Sequence, residues 1–216
     1  ADWSARPLGG GLELVSRSGE RTVVEVPLPG AHNRANAVCA FAMLRAVGVP
    51  AEAAATGIAG VSVPGRMERI GTIDGVTGIV DYAHSPEAIE RVLTSVRELT
   101  EGRVIAVIGA GGDRDRSKRP LMGAAAARLA DLVVITDDNP RSEDPATIRD
   151  EVAAGAPGAR TIADRRAAIG EAVAAARPGD LVIVLGKGHE QGQEIAGTTI
   201  AFDDRDELRA VLRGPR

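Results

Sequence analysis

The stretch RVIAVIGAGGDRDRSKRPLMGAAAARLADLVVITDDNPR, residues 103–141, decides the fold. Two short runs rich in valine and isoleucine, RVIAVIGA (103–110) and DLVVITD (131–137), enclose a helical candidate. Apolar strand runs alternating with helical segments of roughly 10–15 residues are the signature of βαβ units and a parallel sheet. The alternation extends in both directions, through VTGIVDYA (76–83), ARTIAD (159–164) and DLVIVLGK (180–187). Residues 86–99 show the helical period best, with Ile89, Val92, Leu93, Val96 and Leu99 on one face. The expected fold is therefore α/β, a Rossmann-like, mostly parallel sheet flanked by helices, from about residue 63 to 216.

The preceding residues read differently. GLELVS (11–16) and TVVEVPL (22–28) flank RSGE and predict a hairpin. AHNRANAVCAFAMLRAVGVP (31–50) is apolar nearly all round and predicts a buried helix ended by Gly48 and Pro50, with a second, short helix at 51–60. VSVPGRM (61–67) is the expected linker between the two parts.

Composition excludes several classes. A net charge of −4 and only four aromatic residues (Trp3, Phe41, Tyr82, Phe202) argue against a nucleic-acid binder, which needs a basic face and stacking rings. The lone Cys39 permits no intrachain disulfide, and there is no signal peptide and no apolar span of membrane length, so the chain is expected in the cytoplasm without a membrane partner.

In an open parallel sheet, ligands bind outside the carboxyl ends of the strands. The residues standing there are Asp81 to His84, Gly109 to Arg114, Asp137 to Arg141 and Gly186 to Glu190. GAGGDR lacks the G-x-G-x-x-G spacing, and Asp113 would repel a pyrophosphate, which argues against a dinucleotide oxidoreductase. No Walker A motif occurs. His84 and His189 lack a spaced third ligand, which argues against zinc. In DDNPRSEDP (137–145), Asp144 and Pro145 serve as N-cap and first residue of a helix. Asp138, Asn139 and Arg141 are left without a structural task, and an arginine isolated among acids suits the two-pronged grip of a carboxylate.

Taken in order, GAHNRANAVCA, PGRMERI, VDYAHSPEAIERVL, GAGGDRDRSKRPLMG, VVITDDNPRSEDP and VLGKGHE resemble the carboxyl-terminal part of the Mur ligases, and DNPR with GKGHE is similar to the diaminopimelate-adding branch. The resemblance covers almost the whole chain. It implies an ATP-dependent amide ligase of peptidoglycan synthesis that adds meso-diaminopimelate to UDP-MurNAc-L-Ala-D-Glu through an acyl phosphate. Carried over, Arg114 and Arg141 become carboxylate grips, Asp138, Asn139 and Pro140 line the amino-acid site, and Gly186 and Glu190 hold the distal end. Asn33 and Asn36 become adenine contacts, Arg66 a phosphate contact, and Asp81 and His84 ribose and phosphate neighbours of ATP. Residues 1–62 become the end of a central ATP-binding domain and 63–216 the amino-acid-binding domain, in a monomer. The family's phosphate loop, modified lysine and acidic Mg2+ ligands have no counterpart in these 216 residues, so the chain is expected to be a fragment without catalytic or metal-binding residues of its own. The other class of reading is a free-standing amino-acid-binding module that does no chemistry.

Overall fold

The computed structural model describes residues 3–214, which divide into two compact units at the boundary between Val63 and Pro64. In the first, β1 (Trp3–Leu8), β2 (Gly11–Ser16) and β3 (Arg21–Glu25) form an antiparallel sheet in that order. The predicted hairpin is β2–β3. The sequence reading omitted β1, whose residues are mostly exposed and show no clear alternation. Helices α1 (Ala31–Ala46) and α2 (Ala51–Ala59) follow. Leu12, Leu14, Val24, Ala37, Phe41, Ala54 and Ile58 make this unit's core, with Trp3 set edge-on to Phe41 at 5.0 Å. The expectation that α1 is buried all round needs correction. Only Ala37 and Phe41 are buried, whereas Cys39 and Met43 are exposed, because within its unit the helix is covered on one side alone.

The second unit is the expected α/β domain. Its elements run β4 (Glu68–Ile73), β5 (Val76–Asp81), α3 (Pro86–Arg97), β6 (Val104–Ile108), α4 (Lys118–Leu129), β7 (Leu132–Ile135), α5 (Pro145–Ala153), β8 (Arg160–Thr161), α6 (Arg165–Ala174), β9 (Leu181–Leu185), β10 (Gly192–Ile195), β11 (Thr198–Ala201) and α7 (Asp204–Arg213). The six-stranded sheet has the order β4-β5-β9-β6-β7-β8, parallel except for β4, which pairs antiparallel with β5. Alternate residues of each strand face opposite sides, so a sheet covered on both faces needs strands apolar throughout. Thus Val104, Ala106 and Ile108 of β6 pack with α3, α4 and α5, while Ile105 and Val107 pack with α6 and α7. Ile89, Val92, Leu93 and Val96 of α3 are buried as predicted, but Leu99 lies beyond the helix end and is exposed. The edge strand β4 and the β10–β11 hairpin escaped the sequence reading, since neither is an apolar run.

The sheet sets up the site. β6 feeds α4 on one face, while the segment after β9 leads to α7 on the other, and β6 and β9 are neighbours. A crevice opens where adjacent strands send their continuations to opposite faces.

Candidate functional site

Four loops leave the carboxyl ends of β5, β9, β6 and β7 and enclose a cleft of about 320 Å³. That volume lies at the small end of ligand pockets, about 300–1,000 Å³. Tyr82, His84 and Ser85 come from the first loop, Gly186 and Glu190 from the second, Ala110, Gly111 and Arg114 from the third, and Asp138, Asn139 and Arg141 from the fourth. The start of α4 supplies Lys118, Arg119 and Met122. Six residues expected at the amino-acid site therefore share one cleft. Pro140 is buried behind it, filling the space that a side chain on Gly112 would need.

The residues of the fourth loop have structural tasks that the sequence did not reveal. Asn139 is a hub: its Nδ2 donates to Glu190 Oε2 at 2.9 Å, while its Oδ1 accepts from Lys187 Nζ at 2.8 Å and from the Glu194 amide at 3.0 Å. The Asp138 carbonyl accepts from the buried Gln193 side chain at 2.7 Å. Arg141 takes a left-handed backbone, φ 52°. It is held there by its amide donating to the Glu194 carbonyl at 3.1 Å, and by its carbonyl accepting from the Ala196 amide at 2.8 Å. Its Nη1 donates to the Gly112 carbonyl at 2.7 Å and its Nε faces Glu194 at 3.5 Å. The guanidinium thus enters the cleft already aimed, with donors left over.

The third and fourth loops are stitched together. Ser142 Oγ donates to Asp113 at 2.6 Å, the Asp113 amide donates to Glu143 at 2.6 Å, and the Gly112 amide donates to the Asn139 carbonyl at 2.8 Å. Arg119, 1 % exposed, grips both oxygens of Glu143 at 2.7 and 2.9 Å and reaches Glu151 at 2.7 Å. Hydrogen bonding from Arg119 and from the Asp113 amide, with the charges of Arg119 and Arg116, holds the Glu143 carboxyl down at about 2. Arg114, exposed, rests its Nη1 on the Asp113 carbonyl at 2.9 Å. Arg114 and Arg141 therefore ride on one platform, braced by Arg119.

The floor is a charge cluster, buried except at Glu190. Lys187 lies 4.0 Å from Asp138 and 3.4 Å from Glu190, and Arg165 pairs with Asp204, both fully buried. Three carboxylates (Asp138, Glu190, Asp204) meet two cations (Lys187, Arg165). Burial pushes the Asp138 carboxyl up against the pull of Arg165 and Lys187, and Asp204 and Glu190 add to the push. Burial would also raise Glu190, but Asn139, Lys187 and the Tyr82 hydroxyl together hold it below the ordinary carboxylate value. Burial and then Glu190 raise the Tyr82 hydroxyl. Gly186 is obligatory, because at φ 115° a Cβ would strike the Asp138 carboxylate.

The nucleotide candidates are arranged differently. Arg66, exposed, stacks over the Tyr82 ring at 4.5 Å, and Tyr82 also packs against His84 and His189 at 4.7 and 5.3 Å. His84 is exposed and holds its Nδ1 2.8 Å from the Tyr82 carbonyl. Asp81 is buried, and instead of facing outward it accepts from the Met67 and Ala83 amides at 2.7 and 2.8 Å, fixing the backbone on either side of Tyr82. Asn33 and Asn36 belong to the first unit, where Asn33 donates to the Pro29 carbonyl at 2.8 Å and Asn36 is exposed.

The sequence reading passed over Arg119, Arg165, Lys187 and Gln193 as site residues. Their one visible signal is a charged or amide side chain beside an apolar run, which does not tell a buried brace from a surface residue. Among the described residues no three His, Cys, Asp or Glu side chains gather as a metal site, and no helix is long and apolar enough to cross a membrane.

Comparison with known proteins gives the arrangement its context. The family model for the Mur ligase glutamate ligase domain matches residues 65–188. The UDP-N-acetylmuramoyl-L-alanyl-D-glutamate–2,6-diaminopimelate ligase of Brucella melitensis is 53 % identical over 191 residues, covering 88 % of this chain and 39 % of that protein. A solved structure of a ligase of the same name superposes with a TM-score of 0.68 at 39 % identity, over 98 % of this chain and 45 % of the other. Mycobacterium tuberculosis folylpolyglutamate synthase complexed with ADP gives a TM-score of 0.70 at 26 % identity, over 86 % of this chain and 45 % of the other. The chain spans about two fifths of the length of the curated relatives it matches.

Proposed function

The chain belongs to the Mur ligase family, and on that premise we propose that it is the amino-acid-binding part of an ATP-dependent ligase that adds meso-diaminopimelate to UDP-MurNAc-L-Ala-D-Glu. The observation that carries the proposal is the polarity of the cleft: Arg114 and Arg141 stand among its lining residues with Asp138 and Glu190, and the cluster beneath it sets three carboxylates, the partly exposed Glu190 among them, against two cations. A carboxylate in excess, partly open to the cleft at Glu190, suits a cation from the ligand, and aimed guanidinium groups call for carboxylates. Meso-diaminopimelate carries both, two of each. L-lysine has no second carboxylate for Arg141.

In this reading residues 63–216 bind the amino acid and residues 1–62 complete part of an ATP-binding domain, with Asn33 and Asn36 toward adenine. Arg66 and His84 meet the nucleotide's phosphates and ribose, while Asp81 fixes the amides between them. ATP phosphorylates the γ-carboxylate of D-glutamate. The diaminopimelate amine then attacks the acyl phosphate, forming the amide and releasing phosphate. This chain's task is to hold the amine's carbon in register for that attack, a contribution of orientation rather than of proton transfer. Magnesium would shield the phosphates when bound. No gathering of acidic side chains among the described residues suits it, and no ligand is assigned to it here. The work is proposed for a cytoplasmic monomer.

Calorimetric titration of the chain with meso-diaminopimelate, L-lysine and ATP in turn tests the proposal. Binding of diaminopimelate well above that of lysine is expected, and equal binding of the two would sink it. A phosphate-release assay with all three ligase substrates is expected to give no turnover from residues 1–216 alone. Turnover from them would show that the phosphate-handling groups have been misassigned.

A further inference from the structure

Arg165 opens α6, outside every motif that supplies the cleft, and is fully buried with Asp204 at the start of α7. The pair is two-pronged, Nε to Oδ1 and Nη2 to Oδ2, both at 2.7 Å. Stability alone does not account for it, since apolar residues of similar volume fill such a space as well or better. The other donations tell where it acts. Nη2 also donates to the Leu185 carbonyl at 2.9 Å, and Nη1 to the Asp137 carbonyl at 3.2 Å. Those carbonyls stand at the ends of β9 and β7, two strands that β6 separates in the sheet. The next residues along are Gly186 and Asp138, which line the cleft in contact with each other.

We infer that Arg165 is a positioning residue for the amino-acid cleft: its guanidinium ties the ends of β7 and β9 at one spacing, and Asp204 anchors it, so that α7 governs the distance between the DDNPR and GKGHE loops. The inference rests on reading the cleft as an amino-acid site. Strand-end carbonyls need donors, and a planar fork of five N–H groups reaches two of them while keeping its carboxylate partner. Lysine, a single point of charge, does not span the same set.

The test compares the 216-residue chain with Arg165→Met/Asp204→Leu, which replaces the pair by apolar volume, and with Arg165→Lys, which keeps the charge. If the pair only stabilises, the double variant recovers both melting temperature and wild-type behaviour. The expected result is a melting temperature near that of the wild type, displaced amide resonances at Asp138, Gly186 and Lys187 with those of α3 unmoved, and diaminopimelate affinity lower by about tenfold to a hundredfold. Wild-type resonances at Asp138 and Gly186 in a folded double variant overturn the inference. Should the double variant not fold, the same resonances in Arg165→Lys decide: displaced they support the clamp, unmoved they overturn it. If the wild-type chain binds no diaminopimelate, the reading of the cleft has failed, and the resonances still judge the clamp.

Discussion

Lys187, with none of its surface exposed, directs its ammonium at the side-chain carbonyl of Asn139 across 2.8 Å. A glycine-flanked lysine behind a strand invites a phosphate-binding reading, yet this one faces inward and joins the loops after β9 and β7. Replacing it by methionine leaves Asn139 Oδ1 short of a donor and Glu190 without its cation. Breaking such a buried set by removing one partner costs about 3–5 kcal/mol. Urea unfolding of Lys187→Met should show that loss, and a carboxyl resonance of Glu190 should titrate higher than in the wild type, because a cause of its lowering has gone. An unchanged unfolding midpoint would mean that Lys187 is not the keystone of the cluster.

Arg141→Ala tests specificity. The substitution removes the donor to the Gly112 carbonyl as well as the proposed carboxylate grip, but the Arg141 backbone keeps its bonds to Glu194 and Ala196. The loop should therefore stay in place. Leaving a substrate carboxylate unpaired in a partly desolvated cleft should cost about 2–4 kcal/mol in diaminopimelate binding. L-lysine binding should barely move. Equal weakening of both in calorimetry would make Arg141 a structural residue.

How far the sequence carried the fold follows from what periodicity records. β5, β6, β7 and β9 are apolar runs because both faces of the sheet are covered, and such runs are visible without coordinates. The Asp144 cap and Pro145 were equally visible, since capping is local, and Asp144 does accept from the Ala146 and Thr147 amides. β4, β10 and β11 were not: they pair with sequence neighbours across two-residue turns, but none of them is an apolar run. At the site, residue types and loop positions after strands pointed to Asp138, Asn139 and Arg141, and the family resemblance added Arg114, Gly186 and Glu190; all six line the cleft. The braces behind them were hidden: nothing in the sequence marks Arg119 and Arg165 as buried, and only tertiary packing turns them inward. The carboxylate of Asp81 accepts from backbone amides 14 and 2 residues away, a task that likewise appears only with the tertiary fold.

The Arg119–Glu143 clasp should be felt in acid. Glu143 is held at about 2, below its ordinary 4.5. A carboxyl lowered on folding contributes stability that is complete above its unfolded value and is lost as pH falls through the folded one. Urea unfolding of Glu143→Gln should therefore be weaker than wild type at pH 7, with the gap closing between pH 4.5 and 2. A gap that stays constant over that range would show that Glu143 acts by packing and not by charge.

Asp138 should make ligand binding depend on pH in the same sense as an ordinary surface carboxylate, but at higher pH. Burial raises its carboxyl, Arg165 and Lys187 oppose the rise without cancelling it, and Glu190 and Asp204 reinforce it. In the free protein the proton is therefore kept to a higher pH than usual. An ammonium group arriving beside Asp138 and Glu190 supplies the missing cation and favours the ionised form, so the carboxyl falls and a proton leaves as the ligand binds. Affinity for diaminopimelate should thus be low while Asp138 is protonated and increase as pH rises through its raised value. Calorimetry in mildly acidic solution, repeated in two buffers of different ionisation enthalpy, reads the released proton directly as a difference in apparent heat. Asp138→Asn should abolish that difference and flatten the pH dependence. Identical heats in the two buffers for the wild type would show that no proton moves, and the assignment of the ammonium group to this end of the cleft would fall.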